Sequence, residues 1–194
     1  MKKNSRTQRL KLLGLLLSII LTGNWLLISI ASAAPIAVLS AKKDAEGLTL
    51  KMQTGTLRLE VFSPRIIRII YGTGETLPPI KSLAVIGKPA RARWKVSETD
   101  TAVSLRTDEL EARVNRLTGA VEFYDKNGEA LLMEKPDGGK SLAAHTIGGI
   151  TTVRSAQEFT LAPEEAIYGL GQHQQGLMNY RGSDDSLFAA EESR

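Results

Sequence analysis

From Leu48 onward the chain alternates apolar and polar residues in short runs separated by turn residues, and no run of ten or more residues keeps helical spacing. In "TLRLEVFSPRIIRIIYG", Leu57, Leu59 and Val61 point one way while Arg58 and Glu60 point the other, the pattern of a strand with one buried face. Ser63-Pro64 interrupts it, because proline has no N–H for a ladder, and β-branched residues resume over Ile66 to Tyr71. "TGETLPPIKS" reads as a loop, and "SLAVIG" and "ARWKVSE" as two more strands. "AVSLRTDELEARVNRLTGAVEFYDKNGEALLME" reads as a meander whose turns, "NRLTGA" and "DKNGE", place glycine where φ is positive. Residues 134–149, "EKPDGGKSLAAHTIGG", are polar and glycine-rich and predict a long loop, after which "GITTVRSAQEFTL" predicts one or two strands. Pro163, Glu164 and Glu165 predict a single helical turn leading into "YGLGQHQQGLMNYRG". Strands every eight to twelve residues, roughly, predict an all-β antiparallel sandwich rather than a parallel α/β sheet.

The first 33 residues have a different pattern. Met1 to Lys11 carries five basic residues and no acid, an apolar run extends from Leu12 to Ile30, and "ASAAP" supplies small residues before a cut. This is the form of a signal peptide, residues 1–33, cleaved between Ala33 and Ala34, since a later cut would leave Pro35 first. The apolar run could nearly span a bilayer as an uncleaved anchor, but Gly23, Asn24 and Ser29 within it favour cleavage. The expected product is periplasmic or secreted. It divides into a flexible N-terminus, 34–47, a sandwich over 48–182, and a frayed tail, 183–194.

Removing the leader changes the charge. Five of the 25 Lys+Arg leave with it, so 20 remain against 21 Asp+Glu, a net charge of −1. The basic balance of the whole chain is therefore no argument for nucleic acid, nor for a membrane once the signal is gone. The absence of cysteine excludes a disulfide framework and thiolate metal sites.

The candidate chemistry concentrates in Tyr168 to Gly182. "GLGQHQQG" lacks the lysine and serine or threonine of a phosphate loop, so its glycines read as backbone geometry. His145 stands alone in the expected loop and His173 is flanked by glutamines, so no metal site and no cofactor is expected. There is no G-x-S-x-G nucleophile elbow. A glycosidase needs two carboxyl groups flanking one bond, and the adjacent pairs here, Glu164/Glu165, Asp184/Asp185 and Glu191/Glu192, point to opposite faces in extended chain. Asp184 and Asp185 remain candidates for contact with a polar ligand. Of the aromatic residues outside the leader, Phe62, Tyr71, Phe123 and Phe159 are expected in the core, and Tyr168 and Tyr180 at least partly exposed.

Three stretches, "LRLEVFSPRIIRIIYG", "ARVNRLTGAVEFYDKNGEALLMEK" and "EAIYGLGQHQQGLMNYRG", resemble in order and spacing the N-terminal region of glycoside hydrolase family 31, in its bacterial α-xylosidase and α-glucosidase branch. The last is the most specific, with Tyr168, Gly169, Gly171 and Gln172 followed by Asn179, Tyr180, Arg181 and Gly182. The resemblance implies a galactose-mutarotase-like β-sandwich preceding a (β/α)8 barrel that carries the aspartate nucleophile and acid/base of a retaining mechanism. The substrates it implies are α-linked xylosides or glucosides.

None of that barrel is in the sequence, and no catalytic residue transfers. After Gly182 such proteins continue with further strands, whereas this chain runs "SDDSLFAAEESR". The expectation is thus an incomplete sandwich from a truncated, frameshifted or split gene, inactive alone, completed by a barrel on a continued or separate chain. In that reading Tyr180 and Arg181 are structural anchors, and His173 and Gln174 are candidates for sugar contacts. The alternative is a free-standing exported carbohydrate-binding module, with Tyr168, Tyr180, Asp184 and Asp185 lining a shallow site.

Overall fold

The computed structural model describes residues 36–78, 89, 92–169 and 176–183. The leader with Ala33 and Ala34, the strand expected over 82–87, Gly171 to Gln174, and Asp184 and Asp185 lie outside the described residues. All regular structure described is β, in twelve strands: β1 (Val38–Lys43), β2 (Gly47–Met52), β3 (Thr56–Ser63), β4 (Ile66–Gly72), β5 (Trp94–Glu98), β6 (Ala102–Thr107), β7 (Leu110–Asn115), β8 (Val121–Asp125), β9 (Ala130–Glu134), β10 (Lys140–Ile147), β11 (Ile150–Gln157) and β12 (Phe159–Thr160). One sheet has the order β1-β2-β3-β4 and a second β12-β9-β8-β7-β6-β5, while β10 and β11 form a hairpin of their own.

The predicted alternation sets the core. Leu48 lies opposite Leu59 and Leu50 opposite Leu57, so the apolar faces of β2 and β3 coincide. In the second sheet Val103 lies opposite Val114 and Leu105 opposite Ala112, and Val121 continues the row on β8. These residues, with Val38, Met52 and Val61, form one buried cluster between the two sheets, which are therefore the layers of a sandwich. Two hydrogen bonds join its margins: Thr107 Oγ1 donates to the Pro64 carbonyl at 2.6 Å, and the Val38 N–H to the Arg116 carbonyl at 2.8 Å. Both meander turns have glycine at positive φ, Gly119 at 67° and Gly128 at 89°.

Three expectations are corrected. Residues 34–47, read as a flexible terminus, contain β1, which pairs with β2 and contributes buried Val38 to the core. Residues 134–149, read as a long loop, contain all of β10, and His145 on it pairs opposite Thr152. Phe159, expected in the core, is exposed on β12.

The outer face of the first sheet is charged. Arg58 donates to Asp44 Oδ2 at 2.7 Å, Thr49 Oγ1 at 2.8 Å and Glu60 Oε1 at 3.2 Å, and Arg68 donates to Glu60 Oε2 at 3.4 Å. The hydrogen bond from Arg58, helped by the Glu46 and Gly47 N–H groups, holds the Asp44 carboxyl at about 2, below its ordinary 3.8, against the opposing effect of burial. A carboxyl depressed on folding favours the folded state above its ordinary value, and that contribution is lost as pH falls from 3.8 through about 2. In Arg58→Met the Asp44 carboxyl, followed by NMR, is expected to titrate at higher pH, back toward its ordinary value. An unchanged midpoint would show that Arg58 is not the cause.

Candidate functional site

The Tyr168 to Gly182 motif is held at both ends by hydrogen bonds across the chain. Pro163 occupies the second position of a tight turn in which the Glu165 N–H donates to the Ala162 carbonyl at 3.1 Å and Glu165 Oε2 accepts from the Ala162 N–H at 2.8 Å. This is one turn rather than the helical turn expected, because proline at that position favours a β-turn as readily as a helix start.

Asn179 and Arg181 reach back to this turn. Asn179 Oδ1 accepts from the Ile167 N–H at 3.1 Å and the Arg181 N–H at 3.0 Å. The Tyr180 N–H donates to the Ile167 carbonyl at 2.8 Å, and Arg181 Nη1 donates to the carbonyls of Ala162 and of Glu165, the latter at 2.7 Å. Arg181 thus adds a second donor to the Ala162 carbonyl, which already closes the turn, and also binds the Glu165 carbonyl, the use for which a guanidinium with several fixed donors is suited.

The two tyrosines part company. Tyr168 is 67% exposed, whereas Tyr180 is 6% exposed, so its ring is part of the interior and is not presented to a ligand. Gly169 and Gly182 both have positive φ, at 99° and 79°. Leu177 and Met178 between them are exposed. The structure therefore brings together Ala162 to Ile167 and Asn179 to Arg181. Among the described residues, no group of three or more His, Asp or Glu stands where it could hold a metal ion.

A feature that the sequence reading missed is the β10–β11 hairpin. Its eight residue pairs run from Lys140 opposite Gln157 to Ile147 opposite Ile150. The connection is Gly148-Gly149, both at positive φ, as a two-residue hairpin turn matching the strand twist requires. Every residue of β11 is exposed, including Ile150 and Val153, and Ile147 beside them on β10 is exposed too. A cleft of about 780 Å³ separates this hairpin from β4, with Leu142 and Val153 on one wall and Ile70, Tyr71 and Leu77 on the other. The Arg58 and Glu60 groups at its polar end are already paired with one another.

At the root of the hairpin sits a buried ion pair. Lys140 Nζ donates to Glu134 Oε2, with the two residues 6% and 5% exposed. Lys140 also donates to the Gly119 carbonyl at 2.7 Å, and Glu134 Oε2 accepts from the Val121 N–H at 2.8 Å.

With the geometry in place, the comparisons are specific. The family model of the glycosyl hydrolase 31 N-terminal galactose mutarotase-like domain matches residues 56–190. The crystal structure of a GH31 α-xylosidase from Xanthomonas citri is 33% identical, covers 73% of this chain and superposes with a TM-score of 0.63. A GH31 α-xylosidase from a soil metagenome, solved with xylose, is 23% identical over 74% of the chain with a TM-score of 0.60. A Flavobacterium johnsoniae GH31 dextranase is 19% identical over 78% with a TM-score of 0.62. The last two likenesses are of fold. The chain spans 16%, 24% and 18% of the lengths of these three proteins. The family model covers well over half of the chain and agrees with the sandwich and with the Xanthomonas identity, so the chain belongs to glycoside hydrolase family 31, as its N-terminal galactose mutarotase-like domain.

Proposed function

We propose that this domain is an exported accessory part of an α-glycosidase of the α-xylosidase kind, which packs on a catalytic barrel and helps to shape the mouth of its pocket. The substrates of the complete enzyme are α-linked xylosides or glucosides, and the domain alone carries out no hydrolysis. The observation that carries this reading is the β10–β11 hairpin. Its outer strand is exposed along its whole length and its apolar residues cluster toward the Gly-Gly tip. A two-stranded ribbon is marginal in water by itself, and exposed apolar residues on a ribbon that leaves the domain are suited to contact with further polypeptide.

The test is a chimera in which this domain replaces the matched segment of the Xanthomonas citri enzyme. Replacing both Ile147 and Ile150 by aspartate is expected to lower kcat/KM on an aryl α-xyloside at least tenfold, about 1.4 kcal/mol of transition-state stabilisation. An unchanged kcat/KM would sink the assignment of the hairpin. Measurable turnover of aryl α-xyloside or α-glucoside by this chain alone would overturn the accessory role.

A further inference from the structure

We infer that Glu134 and Lys140 are positioning residues, which fix the direction in which the β10–β11 hairpin leaves the sandwich. The purpose of that aim rests on the accessory role proposed above, while the aim itself is a matter of local geometry. β9 ends at Glu134, the chain turns through residues 135–139, and Lys140 opens β10. The pair thus spans the one turn that connects the sheet to the outgoing strand.

One carboxylate oxygen, Glu134 Oε2, accepts from the Val121 N–H at the start of β8 and from Lys140 Nζ. The same ammonium donates to the Gly119 carbonyl in the β7–β8 connection. The first residue of the hairpin is therefore tied to two points on the sheet, and two points set a direction where one would set only a place.

The returning strand is held as closely. The Glu158 N–H donates to the Gly139 carbonyl at 2.6 Å, the Lys135 N–H to the Glu158 carbonyl at 3.2 Å, and Gln157 Nε2 to the Gly139 carbonyl at 3.1 Å. A Cβ on Gly139 would lie 2.2 Å from the Glu158 carbonyl oxygen, so the two strands leave the sheet at backbone contact. Burial along β10 falls from Lys140 through Ser141 and Leu142 to exposed residues from Ala143 onward. The hairpin is gripped at its root and free along its length.

An apolar pair of the same volume would fill the site at equal or lower desolvation cost, since a buried ion pair often adds little stability relative to packed hydrophobic residues. What the charged pair adds is angular selectivity. Hydrogen bonds weaken steeply when bent, whereas apolar contacts are indifferent to direction.

The chain has no cysteine, so His145→Cys on the hairpin and Lys95→Cys on β5 supply the only two thiols for spin labels. Electron–electron distance measurement on this doubly labelled chain is expected to give one narrow distribution. Lys140→Met is expected to broaden it at least twofold, with the strand content of the sandwich retained by circular dichroism. A purely stabilising role would lower the unfolding midpoint of that variant without widening the distribution of its folded molecules, and that result would overturn the proposal. If Lys140→Met does not fold, the unsubstituted labelled chain decides: a narrow distribution supports the clamp and a broad one overturns it. A narrow distribution together with unchanged kcat/KM in the chimera would leave the clamp standing and remove the assignment of the hairpin to the pocket.

Discussion

Replacing Glu134 by glutamine is expected to lower the unfolding free energy by about 3–5 kcal/mol, the effect of leaving a buried charge without its partner. Lys140, 6% exposed, would keep its ammonium in the interior with the Gly119 carbonyl and a neutral amide as its partners among the described residues. Lys140→Met is expected to have an effect of the same order, because among the described residues the Glu134 carboxylate would then keep the Val121 N–H as its donor and lose the ammonium. The double variant removes both charges and is expected to be less destabilised than the sum of the two by several kcal/mol, as a coupled pair requires. Urea unfolding of the four proteins measures this. Additive losses would show that the two groups do not act as a pair. Domains are stable by about 5–15 kcal/mol, so either single change removes a large share of the total.

Leu105→Ala is expected to cost about 2–5 kcal/mol, the range for emptying a leucine site in a packed core. Leu105 is fully buried on β6 opposite Ala112, which is too small to fill the vacated volume, and it belongs to the cluster that joins the two sheets. Ile150→Ala is the control. Its side chain is exposed at the hairpin tip, and the change is expected to stay within about 0.5 kcal/mol. A urea midpoint that falls with an unchanged slope would report lost packing rather than a changed denatured state. A loss below about 1 kcal/mol for Leu105→Ala would mean that the sheets do not pack through this residue.

The strands legible in the sequence were those with one face in the core. In β3, Leu57, Leu59 and Val61 alternate with Arg58 and Glu60, and the burial follows the same alternation. The meander from β6 to β9 was legible because its turns carry glycine where the backbone needs it. β1 was not legible: it is an edge strand in which Val38 alone is buried, so the serine and lysines after it show no period.

β10 was hidden for a related reason. Its residues after Leu142 are exposed, so nothing selects an apolar alternation, and the glycines of "PDGGKS" before it suggest a loop. The available signal was Gly148-Gly149 between two isoleucines at the ends of β-prone runs, a two-residue hairpin signature. At the candidate site, composition marked Tyr168 to Gly182 as unusual but could not say what it touches. The contacts of Asn179 and Arg181 are made to residues 12 to 19 positions earlier, and irregular chain has no period from which such partners can be read. The Glu134–Lys140 pair was equally invisible, since a lysine beside glycines reads as a solvated loop residue until the turn that buries it is known.

The placement of the hairpin bears on how this region can change in length. β9 and β12 are neighbours in one sheet, paired through Glu134 with Phe159 and Met133 with Thr160, and residues 135–158 form a detour between them. The ends of that detour are pinned at its root by the Lys135, Gly139 and Glu158 backbone groups, whatever lies beyond. Closing a loop whose ends are already fixed depends only weakly on its length, about 0.6 kcal/mol for each doubling. Residue pairs can therefore be added or removed near Gly148-Gly149, two at a time to keep the faces of the ribbon, without disturbing the sheet. In this domain reach is adjustable while the scaffold stays constant, so homologues and engineered variants can differ in how far the arm extends and still share one sandwich.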